Sequence, residues 1–125
     1  MKDILDIHSH TIASGHAYNT LYEMARAAAD NGMELFGSSD HGPALPGSSP
    51  EMYFCNFKSI PKELFGMRLI MGCELNILDY KGTLDLKEWL LKRVDYGIAR
   101  IHDLCYKTGS REENTAAAVN AMKSP

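Results

Sequence analysis

The sequence has little cysteine chemistry to offer. Cys55, Cys73 and Cys105 are three in number, widely spaced and without a Cys-x-x-Cys pair. That pattern argues against a disulfide framework and points to reduced thiols, small buried hydrophobes in a reducing compartment. No apolar run approaches the roughly 20 residues that span a bilayer. Low-complexity tracts and internal repeats are also missing. The formal net charge is only −3, which gives no electrostatic footprint for nucleic acid or acidic membranes. An acidic residue at position 3 comes too early for a secretory signal, so a cytoplasmic protein is expected.

What is present is an alternation of two periods. Lys2–Ile7 is a short, mostly apolar run of β-formers and is predicted as a buried strand. Over residues 20–31 the period changes: Leu21, Met24, Ala25 and Ala28 fall on one helical face. Thr20 and Glu23 have capping-box spacing at its start, and Gly32 can supply the left-handed residue at its end. Residues 33–38 read as a second strand, running into Ser39-Asp40-His41-Gly42. Residues 43–61 hold four of the five prolines and read as a long loop with about one helical turn. A third strand is predicted over residues 68–77, with Glu74 inside an otherwise apolar run. Residues 84–92 read as a short helix presenting Leu86, Trp89 and Leu90 on one face. Residues 96–101 form a fourth strand that delivers His102, and Ser110-x-x-Glu113 caps an Ala-rich helix ending near Lys123.

Strands alternating with helices imply a parallel β/α sheet, because parallel strands need long crossovers. A closed β/α barrel takes about 250 residues, and this chain has 125. The expectation is one α/β domain over residues 1–125, the N-terminal part of a barrel rather than a small open-sheet domain.

Ligating residue types recur at the ends of these strands. His8 and His10 are two apart, so on a strand they point the same way and can hold one metal together. His41 follows the second strand, Glu74 lies on the third, and His102 ends the fourth. In parallel β/α folds that edge is where active sites form. Each residue alone has a plainer reading, as a hydrogen-bonded loop histidine or a salt-bridged glutamate. Their joint placement favours a shared metal site, since an apolar strand does not ordinarily carry an unpartnered Glu.

Asp6-Ile7-His8-Ser9-His10-Thr11, His16 in a Ser-Gly-His turn, and Ser39-Asp40-His41-Gly42 resemble the first two motifs of the PHP (polymerase and histidinol phosphatase) family. Gly72-Cys73-Glu74-Leu75-Asn76 resembles its third motif. Ile98 to His102, with Gly109 to Thr115, is similar to its fourth region as found in a subgroup of small bacterial phosphatases. The resemblance covers essentially the whole chain. It implies the N-terminal half of a distorted seven-stranded, TIM-like β/α barrel with divalent transition metals, three in the complete domain (zinc, manganese or iron), at its C-terminal face. It places His8, His10 and Glu74 on a first metal, Glu74 and His102 on a second, and His16 and His41 on a third. Asp40 and Glu74 take the catalytic positions, Asp40 by orienting a neighbouring ligand. The family's later His and Asp-x-His motifs have no counterpart here, so each metal would lack at least one ligand. Arg100 stands where related sequences often have a small residue such as Ser.

The expected function is metal-dependent hydrolysis of phosphoesters, with small phosphorylated monoesters as substrates and metal-activated water as nucleophile. Two other readings compete: a nuclease or polymerase-associated module, and a non-catalytic fragment. The 125-residue chain alone is expected to be inactive. It is also expected to pair with another copy through the open edges of a half barrel. Membrane and nucleic-acid partners are not expected. Tyr53 and Phe54 read either as substrate contacts or as ordinary loop packing.

Overall fold

A computed structural model describes residues 4–124 of the chain. Lys2 and Asp3, the start of the first expected strand, and Pro125 lie outside the described residues. The elements follow as β1 (Leu5–Ser9), a 3-10 turn (Ile12–Ser14), α1 (Leu21–Asp30), β2 (Leu35–Ser38) and α2 (Glu51–Cys55). A second 3-10 turn (Phe57–Ser59) leads to β3 (Glu63–Leu64), β4 (Met67–Asn76), α3 (Glu88–Leu91), β5 (Tyr96–Arg100) and α4 (Arg111–Ala121).

β1, β2, β4 and β5 are mutually parallel, in that spatial order. Residues 67, 69, 71, 73 and 75 of β4 point to one face and are buried in the main core with Phe36, Phe54, Phe57, Leu86 and Leu90. Ala25 and Ala28 of α1 close over that face, as the helical period required. The opposite face carries Gly72, Glu74 and Asn76. A smaller cluster of Ile77, Tyr106, Ala117 and Ala121 seats α4.

The local signals at helix ends act as written in the sequence. Both capping boxes form, Thr20 with Glu23 and Ser110 with Glu113. At the end of α1, Gly32 takes φ 74°, its N–H donates to Ala29 O, and Met33 N–H donates to Ala28 O. That is a Schellman closure, which needs a residue free to enter the left-handed region.

Three expectations need correction. The proline-rich stretch holds α2 and a 3-10 turn rather than one turn in a loop. β3 pairs antiparallel with the start of β4 around Phe65 and Gly66, both at positive φ, as in a type I′ hairpin. A phenylalanine in that position is costly; the Arg26 guanidinium lies 3.7 Å from its ring centroid. The helix expected over residues 84–92 contracts to Glu88–Leu91, and Trp89 is about half exposed instead of sharing the buried face of Leu86 and Leu90. The three cysteines are free thiols. Among the described residues no helix is long and apolar enough to cross a membrane.

Tyr96 shows how far the sheet curls. Its hydroxyl, on β5, donates to Ile7 O on β1 at 2.6 Å. In a flat sheet those strands would stand about 14 Å apart, far beyond the reach of a tyrosine. The sheet therefore curls strongly while staying open, as half of a barrel would, and Tyr96 spans its concave side. Its ring passes over Gly72 and Gly37, where an added Cβ would fall 2.4 and 2.5 Å from Tyr96 atoms. Gly72→Ala should therefore cost about 1–3 kcal/mol through overpacking, read as a lower urea midpoint by circular dichroism. An unchanged midpoint would show that Tyr96 moves aside freely and does not set the curl.

Candidate metal centre

The centre is built around one carboxylate. Glu74 is fully buried, at 0% exposure, near the C-terminal end of β4. The ladder shifts register between Asp6 and Ser9, and beyond that shift His8 Nε2 and His10 Nε2 lie 3.3 and 3.0 Å from Glu74 Oε2. Ser9 between them points away, its hydroxyl donating to Gly37 O. His41 pairs with Glu74 in an isolated parallel bridge, and His41 Nδ1 lies 3.1 Å from the same Oε2. His102 Nε2 and Arg100 Nη1 approach Oε1 at 3.5 and 3.2 Å. His16 enters from the loop before α1, its Nε2 lying 2.7 Å from His41 Nε2. All five histidines and the glutamate singled out in the sequence thus meet in one cluster.

Two buried oxygen-rich networks fix how the imidazoles present themselves. Asp40, 1% exposed, accepts from Thr11 N, Thr11 Oγ1, Ser14 Oγ and Tyr53 Oη at 2.7–2.8 Å. Because the Ser14 hydroxyl proton goes to Asp40, Ser14 Oγ can only accept from His10 Nδ1, which lies 3.0 Å away. The second network starts at Asp85, which accepts from Asn76 N and Asn76 Nδ2. The Asn76 amide is thereby oriented with Oδ1 toward His102 Nδ1, 2.7 Å away. In both histidines Nδ1 carries the proton and Nε2 presents a lone pair to Glu74.

Lone pair therefore faces lone pair across 3.0 Å between His10 Nε2 and Glu74 Oε2. Glu74 Oε2 and His41 Nδ1 are both buried without a hydrogen-bond partner. An arrangement of this kind is repulsive unless a cation sits among the atoms. Three overlapping groups are close enough to share one: His8, His10 and Glu74; His41, Glu74 and His102; His10, His16 and His41. The ligand atoms of each group lie within 4.8 Å of one another. The residues present fit a metal.

Electrostatics agree with that fit. Burial lowers the His10 imidazole below its ordinary value against the pull of Glu74. Burial likewise pushes His41 down to about 4, so both are neutral donors at neutral pH, as ligation requires. For Glu74, burial would raise the carboxyl, but the His8 and His41 imidazoles and the Arg100 guanidinium outweigh it and hold it below the usual range.

Asp40 touches none of the imidazoles directly and reaches His10 through Ser14. Tyr53 serves Asp40, with its hydroxyl kept protonated by burial and by that carboxylate. Phe54, fully buried, belongs to the core. Packing is thus observed for Phe54, while Tyr53 is engaged by Asp40. Ser14, Asn76 and Asp85 were not singled out in the sequence. Their partners lie up to 41 residues away in the chain, and no periodicity or spacing marks such contacts.

The sign of the acid response follows. His41 has a folded value near 4 against an ordinary value near 6.5, so the unfolded chain binds the extra proton in that window. Stability is present above pH ~6.5 and is lost as pH falls toward ~4. Loss of the depressed Glu74 carboxylate continues the decline below that. With metal removed by EDTA, the urea midpoint should fall steadily across this window, and His41→Asn should flatten the slope. A midpoint independent of pH from 7 to 4 would contradict the assignment.

Comparison with known proteins places the cluster in a family. The PHP domain family matches residues 6–120. A probable phosphatase of Clostridium novyi is 46% identical over the whole of this chain and 51% of its own length. A probable phosphatase of Acetivibrio thermocellus is 47% identical over the whole chain and 52% of its own length, and one of Clostridium acetobutylicum is 42% identical with 51% of its length covered. The chain spans about half the length of the curated relatives it matches. With nearly every described residue inside the family match, and the histidines and Glu74 that could hold a metal gathered in one cluster, this chain belongs to the PHP domain family.

Proposed function

We propose that the protein bearing this chain is a metal-dependent phosphoesterase acting on small phosphomonoesters in the cytoplasm. The observation that carries the reading is the buried Glu74 carboxylate with imidazole lone pairs turned toward it and no hydrogen bond on Oε2. The names of the relatives, probable phosphatases, support the same chemistry.

On this reading His8, His10 and Glu74 would hold a first divalent transition metal, Glu74 and His102 a second, and His16 a third, with His41 giving the one lone pair of its neutral imidazole to either the second or the third. Bound zinc, manganese or iron would polarise phosphate oxygens and lower the pKa of water at the site. The chain's own residues contribute orientation. Ser14 and Asn76 hold His10 and His102 in the Nδ1–H tautomer, so that Nε2 is ready to ligate. Asp40 and Asp85, each saturated with donors, keep those two residues from rotating. No serine or cysteine nucleophile is required: Cys73, in the core beside Glu74, is held as a thiol by burial. A catalytic zinc site takes three protein donors and keeps a fourth position for water, and the His8, His10 and Glu74 group supplies such a set. Further donors would come from the rest of a full-length protein, since the chain spans about half the length of its relatives.

The test is elemental analysis of the purified full-length protein together with hydrolysis of p-nitrophenyl phosphate. About two or three transition-metal ions per chain are expected, with turnover that EDTA abolishes and added metal restores. Residues 1–125 alone should hold less metal and turn over little. Full-length protein without transition metal, or metal-replete protein without turnover, would overturn the proposal.

A further inference from the structure

Arg100 is not needed to build the cluster. It ends β5 with its backbone fixed opposite Asn76, and its carbonyl accepts from Ile77 N. Its side chain is 58% exposed and makes a single polar contact, Nη1 to Glu74 Oε1 at 3.2 Å. The contact helps compensate the fully buried Glu74 carboxylate, yet it leaves more than half of the arginine side chain in solvent. Among the described residues, no other Lys or Arg lies within ion-pairing distance of Glu74 or Asp40. The Nε–Nη2 edge of the guanidinium, the planar fork that matches two oxygens of a phosphate, has no protein acceptor.

The sequence reading gave this position no role, because related sequences often carry a small residue there. We propose that Arg100 grips the terminal phosphoryl group of the substrate and thereby selects phosphomonoesters over phosphodiesters. The inference rests on the hydrolase reading above and adds the residue that reads the substrate. A monoester presents three terminal oxygens and up to two negative charges, so an oxygen remains for the fork when others are taken by the cluster. A diester presents two terminal oxygens and one charge, leaving the fork nothing of its own. Lysine at this position would keep the charge and lose the two-point contact.

The experiment compares full-length wild type, Arg100→Ser and Arg100→Lys, each brought to equal metal content. Orthophosphate and dimethyl phosphate binding are measured by calorimetry, and p-nitrophenyl phosphate hydrolysis is followed in parallel. Arg100→Ser should weaken orthophosphate about tenfold or more, raise KM more than it lowers kcat, and change dimethyl phosphate by less than about twofold. Arg100→Lys should recover part of the orthophosphate affinity. Unchanged orthophosphate binding in Arg100→Ser overturns the proposal, as does an equal loss for both ligands or a wild type that binds no orthophosphate. Wild-type turnover with KM unmoved in Arg100→Ser sinks this inference and leaves the hydrolase standing. Arg100-dependent phosphate binding without turnover does the reverse.

Discussion

Glu74 is the constraint on which the rest of the structure depends. It interrupts a strand whose alternate residues, Met67 to Leu75, form the hydrophobic core, and it is itself fully buried. An ionised carboxylate taken out of water costs several kcal/mol unless charge and hydrogen bonds compensate it. Here the compensation is assembled from four separate segments. The register shift in β1 brings His8 and His10, the chain beyond β2 brings His41, the end of β5 brings Arg100, and the loop beyond it brings His102. The geometry then overshoots what a proton could satisfy, since nitrogen lone pairs face a carboxylate oxygen. A divalent ion resolves in one step both the buried charge and the opposed lone pairs.

That convergence needs rigid backing, and two further carboxylates provide it, the buried Asp40 and the half-buried Asp85. Asp40 ties the 3-10 turn after β1 to α2, through Thr11 and Ser14 on one side and Tyr53 on the other. Asp85 ties the loop after β2 to the end of β4, through Ala44 N, Asn76 N and Asn76 Nδ2. Space is shaped to match: a Cβ added at Gly42 would lie 2.4 Å from Asp85 Oδ2, so the residue after His41 has room only for hydrogen. Neither carboxylate meets an imidazole, yet each decides which imidazole nitrogen carries the proton. Metal affinity is set partly at that distance, because a ligand already in the right tautomer loses less on binding.

The parts of the fold legible in the sequence were those governed by local rules. Thr20 and Glu23, Ser110 and Glu113, and Gly32 act through neighbours three to five positions away, and their motifs appear as read. The four parallel strands were readable from apolar runs, with the ends that fall well inside the described residues exact or off by one or two positions. β3 was not, because a two-residue strand has no period and its turn begins with Phe65 where Asn or Gly would have signalled a hairpin. α2 was hidden by the prolines around it, although Pro50 suits a position just before a helix. Trp89 fell on the wrong face because α3 is too short for helical phase to hold as far back as Leu86. At the site the metal-ligating side chains could be listed from their positions at strand ends. Ser14, Asn76 and Asp85 could not, since hydroxyl, amide and carboxylate side chains acquire their roles only from long-range contacts.

The concave face asks for two things at once. Ile7, whose carbonyl accepts from the Tyr96 hydroxyl, and Leu5 on the same strand are 39% and 53% exposed, so apolar surface that would favour burial is open. Ile7 also adjoins His8, one of the residues that could hold a metal. A segment that covered this surface would lie close to the cluster, and a metal bound there that took a donor from it would hold the segment in place, making metal binding part of the folding free energy. Arg100 gives Nη1 to Glu74, while the rest of its guanidinium is open to solvent, so one side chain can steady the buried carboxylate and still meet a ligand from outside.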